Sequence, residues 1–409
     1  MSKRSKLAAL ASAVLVSSLL LPSTPATANH DATLEVTVGA FHQRAPAESE
    51  RFFPEEMTVH RGDTLKFVGE FHTATFLPAS VGDTEADLDA WVADNGGDIG
   101  DPHHFIANNP DYSPGPFKIN GFTANPDCGM PSDPCSYNGN ATLESGVLFN
   151  YTDFSTNPPT AAGFNVEVDA NPGDSFWVFC RVHGAGMQMK VTVVNPNDAS
   201  TTQQQIDDST EATLAADEAA AMDLHRDLIT RREFTRRPNG TRVWQAWAGF
   251  DTEDFSLFAM YPRQLNLKRG DKVRWNFDQL HHETHTVTQP RGRALQVVNN
   301  EPIFCDPNGD DTAGGETPAT FSQTAGPTCP AGTEIEFIIT ETFALPQGDG
   351  VVRRHRDFEN SGVRGHLGDP PAPGFAPYTL KFAKRSRKAY KYTCLIHPFM
   401  RGRVKVSRR

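Results

Sequence analysis

The sequence has little of several things that would have pointed to a membrane or a nucleic-acid function. Beyond the N-terminal region it has no apolar run of transmembrane length. A spanning helix needs about 20 such residues, so we expect no stable membrane insertion. It has 50 acidic against 38 basic residues and no known nucleic-acid-binding motif, so we expect no nucleic-acid partner. Cysteine is scarce as well, at six residues in 409.

The first 28 residues have the pattern of a signal peptide. Three basic residues precede an apolar run over residues 7–21, and Ala26 and Ala28 are small residues of the kind that signal peptidase requires. We expect cleavage after Ala28. No cysteine follows that position, so no lipid anchor is expected there. The mature protein is predicted to be secreted or periplasmic.

The cysteines divide into two local pairs and two that are left over. An exported chain should pair its thiols or use them. Two pairs lie within or flank single loops, and a local disulfide is expected for each: Cys128 with Cys135 and Cys305 with Cys329. Cys180 and Cys394 remain, and two free thiols in an exported protein need a reason.

The chain repeats itself once. Residues 57–67 (MTVHRGDTLKF) correspond to residues 265–275 (LNLKRGDKVRW) at an offset of 208. Alternating apolar residues run into Arg-Gly-Asp and then resume, which predicts strand, tight turn and strand. The similarity returns twice more, in HTAT (72–75) with HTVT (285–288) and in FWVFCRVH (176–183) with YKYTCLIH (390–397). One repeat of this length indicates a duplicated domain.

Short alternating segments separated by Pro and Gly are typical of β-sandwiches. They predict an all-β protein with one sandwich over residues 29–197 and a second over residues 241–409. Residues 198–240 are predicted to be a linker, in which the Ala-rich stretch 211–228 favours helix. The linker would then be partly helical.

Charge is distributed unevenly between the two predicted domains. Residues 29–195 hold 7 Lys and Arg against 23 Asp and Glu, whereas residues 241–409 hold 23 against 18. Eleven of those basic residues lie within 381–409. Such asymmetry affects docking and encounter rates rather than fold. The basic stretch is either a solvated edge or a docking surface, and the sequence leaves both open.

Each repeat carries the same four ligand-type residues in the same order. The sets are His72, Cys180, His183 and Met187 in the first repeat, and His285, Cys394, His397 and Met400 in the second. Two imidazoles and one thiolate with a weak axial thioether form the ligand set of a type 1 (blue) copper site. The pattern therefore predicts one type 1 copper per domain, and it gives both leftover cysteines a use.

Some ligand choices stay open. Met189 is an alternative to Met187 as the axial ligand. In the second repeat His281 and His282 precede His285, and the alignment of the repeats favours His285. The remaining loop histidines are expected to be surface groups, and they include His103, His104, His355 and His366; His30, near the new N-terminus, is at most a weak metal ligand.

The segments around the later ligands resemble those of cupredoxins. CLIHPFMRGRV (394–404) resembles the copper loop of amicyanin, and CRVHGAGM (180–187) resembles that of plastocyanin, shortened by one residue between His and Met. The resemblance implies two Greek-key cupredoxin sandwiches that carry single electrons. Many small cupredoxins place Asn after the first His ligand, where this chain has Thr73 and Thr286. That difference concerns the redox potential rather than metal binding.

We therefore expect a secreted two-domain type 1 copper protein that exchanges electrons with redox partner proteins. The predicted electron ports are His183 and His397, both expected to be partly exposed, with Pro398 and Phe399 as an apolar rim at the second. Copper storage or delivery is the alternative function. A multicopper oxidase is less expected because its additional coppers need His-x-His pairs, which the sequence lacks. We accordingly expect no enzymatic activity.

Overall fold

The structure is a computed structural model. It describes residues 32–69, 72–95, 105–107, 117–119, 128–145, 148, 152–153, 160–161, 163–181, 183–277, 283–298, 303–306, 317–318, 320–322, 326–328, 334–339, 341–365 and 374–408. Several predictions fall outside these residues: the signal peptide and its cleavage site, His30, His103, His104, His281, His282, His366 and the pairing of Cys305 with Cys329.

The first half of the chain is built mainly from strands. They are β1 (Thr33–Phe41), β2 (Ala47–Phe53), β3 (Glu56–His60), β4 (Thr64–Gly69), β5 (Thr75–Phe76), β6 (Phe105–Ala107), β7 (Phe117–Ile119), β8 (Cys135–Tyr137), β9 (Leu143–Glu144), β10 (Thr152–Asp153), β11 (Thr160–Ala161), β12 (Phe164–Val168), β13 (Ser175–Cys180) and β14 (Gly184–Val194). A 3₁₀ turn (Ala79–Val81) and helix α1 (Glu85–Asn95) lie between β5 and β6.

The second half follows helix α2 (Gln203–Thr230) and repeats the pattern. Its strands are β15 (Phe234–Arg236), β16 (Arg242–Asp251), β17 (Phe255–Tyr261), β18 (Gln264–Lys268), β19 (Lys272–Asn276), β20 (Thr288–Gln289), β21 (Ile303–Asp306), β22 (Thr317–Pro318), β23 (Thr320–Ser322), β24 (Gly326–Thr328), β25 (Glu334–Ile339), β26 (Pro346–Gln347), β27 (Val351–Val352), β28 (Glu359–Ser361), β29 (Tyr378–Phe382), β30 (Tyr390–Thr393) and β31 (Arg401–Ser407). Two short helices are α3 (Arg291–Val298) and α4 (Glu341–Ala344).

The fold is an all-β pair of sandwiches, as predicted. In the first, the sheet β2-β1-β4-β12-β8 faces the sheet β3-β14-β13-β5-β9. In the second, β17-β16-β19-β29-β27 faces β18-β31-β30-β20-β28-β26. Alternation along the strands sends one face inward; in β31 every second residue is buried. Each sandwich encloses its own apolar core.

The Arg-Gly-Asp segments form tight turns between strands. Gly62 and Gly270 have positive φ angles of 96° and 94°, which glycine adopts without a steric cost. The following aspartates accept backbone N–H groups across the turn: Asp63 from His60 at 2.7 Å and Asp271 from Lys268 at 2.9 Å.

The two sandwiches share a sheet. Strands β2 and β17 pair antiparallel, so one sheet runs continuously through both halves. The linker helix α2 packs across this junction, where Ala221 and Leu228 contact Ala47 and Leu257. Thr202 caps the helix through a capping box with Gln205, so the helix starts before the predicted Ala-rich stretch. The junction is therefore covered by apolar packing rather than left as a free hinge.

Polar contacts also fix the helix to the first sandwich. The hydroxyl of Ser49 donates to the buried carboxylate of Asp217 at 2.7 Å, and Arg51 Nε lies 3.4 Å from the same carboxylate. Arg44 pairs with Glu218 at 2.6 Å. These three contacts hold the linker over the shared sheet.

For the cysteines whose side chains the structure describes, the arrangement is the one predicted from the sequence. Cys128 and Cys135 form a disulfide, and Cys180 and Cys394 are free and buried. No helix among the described residues combines the length and apolar character needed to cross a bilayer.

Candidate metal centres

The first centre is assembled from two parts of the first sandwich. His72 lies between β4 and β5, while Cys180 ends β13 and His183 lies in the turn that leads into β14. Because β13 pairs with both β5 and β14, these segments meet at one end of the sandwich. All three side chains are buried.

Three donor atoms converge in this centre. His72 Nδ1 lies 3.1 Å from His183 Nδ1, and Cys180 Sγ lies 3.8 Å from the first and 3.7 Å from the second. One ion with bonds of about 2.0–2.3 Å would contact all three atoms. The spacing therefore fits a single metal ion in a trigonal arrangement.

The second centre repeats the first. His285 Nδ1 lies 3.2 Å from His397 Nδ1, and Cys394 Sγ lies 3.9 Å from His397 Nδ1. His285 is held in place by a two-way backbone bridge with Arg364, with hydrogen bonds of 2.8 and 2.9 Å. Both halves of the chain thus contain a His–Cys–His group whose donor atoms could hold a metal ion, and only His397 of these residues is not fully buried.

The threonine that follows each first histidine organises the cysteine. The Thr73 N–H lies 3.3 Å from Cys180 Sγ, and the Thr286 N–H lies 3.3 Å from Cys394 Sγ. Each threonine hydroxyl also accepts the backbone N–H of the residue after the cysteine, at 2.8 Å and 2.7 Å. Where many cupredoxins carry Asn, threonine here ties the two ligand segments together.

The charges in the centres favour the thiolate, which is the metal-binding form. Burial alone would raise the pKa of Cys180, but hydrogen bonds from His183 and His72 hold that pKa well below its ordinary value. The pKa of Cys394 is lowered in the same way by His285 and His397. Burial opposes the charged imidazole of His72, yet Cys180 and Glu48 raise its pKa to about 9. A metal ion that binds there would therefore displace a proton from His72.

Strand register gives the methionines distinct positions. Along β13 and β14, Val178 pairs with Met189 and Phe179 with Gln188, but the register then shifts and Cys180 pairs with Gly184. Met187 therefore directly precedes the strand partner of Phe179, just as Met400 directly precedes the strand partner of Thr393. In the second centre Thr393 pairs with Arg401, and the Cys394 N–H bonds to the Met400 carbonyl at 3.3 Å. Met187 and Met400 thus occupy equivalent places. Met187, Met189 and Met400 are all buried.

Comparison with known proteins adds little to this geometry. No family model matches the chain, and no curated protein matches it. Among solved structures, a copper-containing nitrite reductase from Thermus scotoductus SA-01 aligns over 92% of this chain and 99% of that chain, at 10% identity and a TM-score of 0.20. A likeness this weak carries no functional argument, so the assignment rests on the centres themselves.

A glycine in a β-bulge lies against the first histidine of each centre. Gly39 and Gly249 have φ angles of 66° and 77°. A Cβ atom would lie 1.9 Å from His72 Nε2 at the first and 2.0 Å from His285 Nε2 at the second. Only glycine leaves room for the two rings. Sequence analysis missed both glycines, although extending the repeat to VGAF (38–41) and AGFD (248–251) would have aligned them.

Carboxylates surround the first centre. His72 Nε2 donates to Glu48 Oε1 at 2.8 Å, and His183 Nε2 donates to Glu283 Oε1 at 3.2 Å. Glu50 lies close to His183 and Glu283, and burial raises its pKa to about 7. One oxygen of Glu50 finds no hydrogen-bond partner among the described residues.

Aromatic rings surround the second centre instead. Phe258 packs edge-on against His397 with ring centroids 4.9 Å apart and against His285 at 6.1 Å. His285 Nε2 has no hydrogen-bond partner within the described part of the chain. Phe258 is the repeat equivalent of Glu50, and Ser256 is that of Glu48. The two centres therefore share their ligand-type residues and differ in what surrounds them.

The exposure of the two later histidines corrects one prediction. The side chain of His183 is only 2% exposed, because Glu283 of the second sandwich covers it. That of His397 is 18% exposed, and Phe399 beside it is 56% exposed. Only the second predicted port reaches the surface.

Glu283 is the main residue that sequence analysis missed. The sequence contained a signal, since Glu-x-His-Thr-x-Thr occurs in both repeats, at residues 70–75 and 283–288. Glu70 lies outside the described residues. That Glu283 would contact a histidine of the other sandwich, 100 residues away in the chain, depends on how the halves pack.

Proposed function

We propose that this chain is an exported two-domain cupredoxin that holds one type 1 copper in each sandwich and carries single electrons. The observation that carries the proposal is the recurrence of one donor geometry in both halves. In each, a buried thiolate-forming cysteine and two histidine Nδ1 atoms converge. His72, Cys180 and His183 would hold the first ion, and His285, Cys394 and His397 the second.

The donor chemistry fits copper. Thiolate and thioether ligands suit Cu(I), and imidazole accepts either oxidation state. Met187 and Met400, each directly before the strand partner of the residue that precedes its cysteine, would supply the weak axial sulfur. Copper bound in such a set would gain or lose one electron.

The chain's own residues would keep rearrangement small during that exchange. Backbone N–H groups of Thr73 and Thr286 point at the two sulfurs, and backbone hydrogen bonds fix the strands that carry them. The aromatic residues of β13 and β30 that precede each cysteine are mostly buried and exclude water. A site held this rigidly favours electron transfer over release of the metal.

Copper storage or delivery would use the same ligands and is the second candidate function. Storage requires that the metal enter and leave readily. The cysteine of each centre is fully buried. Among the described ligand residues, His397 alone is partly exposed. This burial favours electron transfer.

Oxidase chemistry has less support. The ligand-type groups found among the described residues are the two His–Cys–His sets and the group of Glu50, His183 and Glu283. None of these groups is built from the His-x-His pairs that further coppers of a multicopper oxidase would need. We propose a redox carrier rather than an enzyme.

The redox partner would dock at the rim around His397. The exposed ring of Phe399 and the neighbouring Pro398 give an apolar contact surface there. The basic edge is elsewhere: a cavity of about 900 Å³ lined by residues such as Arg385, Lys405 and Arg408 lies at the far end of β31. That strand is seven residues long, or about 20 Å at 3.3 Å per residue.

Export is supported by the signal-peptide pattern and by the Cys128–Cys135 disulfide. Disulfides persist mainly in oxidising compartments. We therefore propose that the mature protein is outside the cytoplasm.

The test is to add Cu(II) to the mature protein and record visible absorption and EPR spectra with copper stoichiometry. We expect two coppers and an intense thiolate-to-copper band. Cys394→Ser should halve the band, and the additional replacement Cys180→Ser should abolish it. Replacing Cys128 and Cys135 by serine together is the matched control and should leave the band intact.

Two outcomes would contradict the proposal. A protein that binds two coppers without the intense band would favour storage. Oxygen consumption with a phenolic reductant would favour an oxidase.

A further inference from the structure

The two centres meet through one side chain. Glu283 Oε1 accepts a hydrogen bond from His183 Nε2 at 3.2 Å, and Glu283 Oε2 lies 3.6 Å from His397 Nε2. Both histidines direct Nδ1 to their own centre. One carboxylate thus spans a ligand of the first sandwich and a ligand of the second.

The first centre has no surface-exposed ligand of its own. His72, Cys180, His183 and Met187 are each at most 2% exposed. The outer nitrogens of its histidines face Glu48 and Glu283 rather than solvent. The nearest ligand with access to solvent is His397 of the second centre, on the other side of Glu283.

Resting on the proposed function, we propose that Glu283 is an electron bridge, and that the first centre exchanges electrons with outside molecules only through the second. The electron that one centre loses is the electron that the other gains. No bond breaks, and Glu283 keeps its charge. The molecule would hold two electrons behind a single port at His397.

Surroundings set the preferred direction across the bridge. Glu283 lies beside a histidine of each centre, but Glu48 contacts a histidine of the first centre alone and would stabilise Cu(II) there. The equivalent residue near the second centre is Ser256, which carries no charge. The first centre should therefore have the lower potential. When an oxidant removes one electron from the second centre at His397, one electron would then move from the first centre to the second.

The test starts from the fully reduced, copper-loaded protein and a photogenerated ruthenium(III) polypyridyl oxidant. Freeze-quench EPR follows the two Cu(II) signals, assigned beforehand on Cys180→Ser and Cys394→Ser. We expect the Cu(II) signal of the second centre to appear initially and then to be replaced by the Cu(II) signal of the first centre. In Glu283→Leu, which keeps the volume but removes the polar bridge, this internal step should slow several-fold. In Glu283→Gln the rate of the internal step should lie between that of the unmodified protein and that of Glu283→Leu.

The matched control is Glu253→Gln, which removes an exposed carboxylate in the same half of the chain. It should leave the internal step unchanged. In Cys394→Ser, oxidation of the first centre by the same oxidant should be much slower than oxidation of the second centre in Cys180→Ser.

Two results would overturn the bridge. One is an unchanged internal rate in Glu283→Leu with both copper spectra retained. The other is a first centre that, in Cys394→Ser, reacts with the oxidant as fast as the second. Failure of the proposed function is recognised separately, because the unmodified protein would then show no type 1 copper signals.

Discussion

Glu48 and Ser256 occupy equivalent positions in the two repeats and pair with each other across the junction of β2 and β17. Their neighbours are related by the same symmetry, since Ala47 pairs with Leu257 and Ser49 pairs with Phe255. An approximate twofold axis therefore passes through the Glu48–Ser256 pair. A self-complementary contact of this kind is typical of a C₂ dimer, here formed within one chain.

Departures from that symmetry are where the two centres become unequal. On one side Glu48 bonds to His72, while on the other Ser256 offers no carboxylate to His285. Glu50 and Phe258 differ in the same way. The same ligand-type residues thus lie beside several carboxylates in the first centre and, in the second, beside aromatic rings and the shared carboxylate of Glu283.

The first prediction concerns the redox potential. Glu48→Gln should raise the potential of the first centre because a carboxylate beside a ligand favours Cu(II). We expect a rise on the order of 60 mV, since 59 mV corresponds to a tenfold change for one electron. A spectroscopic redox titration of both centres measures it, and the second centre serves as the internal reference. An equal shift in both centres would contradict the assignment.

The second prediction concerns the bulge glycines. Gly39→Ala should empty the first centre alone, because the added Cβ would overlap the ring of His72. Copper stoichiometry should fall from two to one per chain. Gly173→Ala is the control, since Gly173 also has a positive φ, 96°, but nothing lies within 4 Å of its Cβ position. Equal copper loss in both variants would point to backbone strain instead.

The same test applies to the second centre. Gly249→Ala should remove its copper, and Gly240→Ala should not, although both glycines have a φ of 77°. Loss of the first copper in Gly249→Ala would show that the centres are not loaded independently.

The third prediction distinguishes the two candidate axial ligands of the first centre. Met187→Leu should change the visible and EPR spectra and the potential, because Met187 is buried at the position equivalent to that of Met400, beside the register shift at Cys180. Met189→Leu keeps a buried apolar residue opposite Val178 and should leave the spectra unchanged, at a packing cost of less than about 1.5 kcal/mol. Spectral changes in Met189→Leu alone would reverse the assignment.

The fourth prediction concerns stability and pH. Burial alone would raise the pKa of Asp271, but the Lys268 N–H and the Arg242 guanidinium hold it below its ordinary value. A lowered folded-state pKa gives stability that is present above the unfolded pKa of about 3.9 and is lost as the pH falls through the folded value. Asp271→Asn should therefore destabilise the second sandwich by about 2 kcal/mol at neutral pH.

The measurement is urea unfolding of the metal-free protein at several pH values. The difference between native protein and Asp271→Asn should shrink as the pH falls below about 3.9. The exposed Asp89→Asn is the control and should show little difference at any pH. A constant difference for Asp271→Asn would mean that the charge of Asp271 is not what stabilises the turn.

Much of the fold could be predicted because it depends on local pattern. Alternation in segments such as β31, the turns at Gly62 and Gly270, and the Ala-rich linker helix all follow from neighbours in sequence. The start of the helix at Thr202 was harder to predict, because the polar residues that form its capping box are equally typical of a loop.

The ligand-type residues could also be read from the sequence, because a thiolate, two imidazoles and a thioether recur in one order at two places. The placement of Met187 and Met189 could not, because it depends on the register of β13 against β14. The exposure of His183 was predicted wrongly for a similar reason. A residue on a loop is expected at the surface until another sandwich covers it.

By itself, the sequence determined that the chain is a duplicated β-sandwich protein with a repeated set of copper-type ligand residues. Only the tertiary structure decided that the two sets lie on either side of Glu283 and that one of them is sealed from solvent. The physical reason is distance along the chain. Glu283 and His183 are 100 residues apart, and their contact follows from the pairing of β2 with β17, which no local pattern specifies.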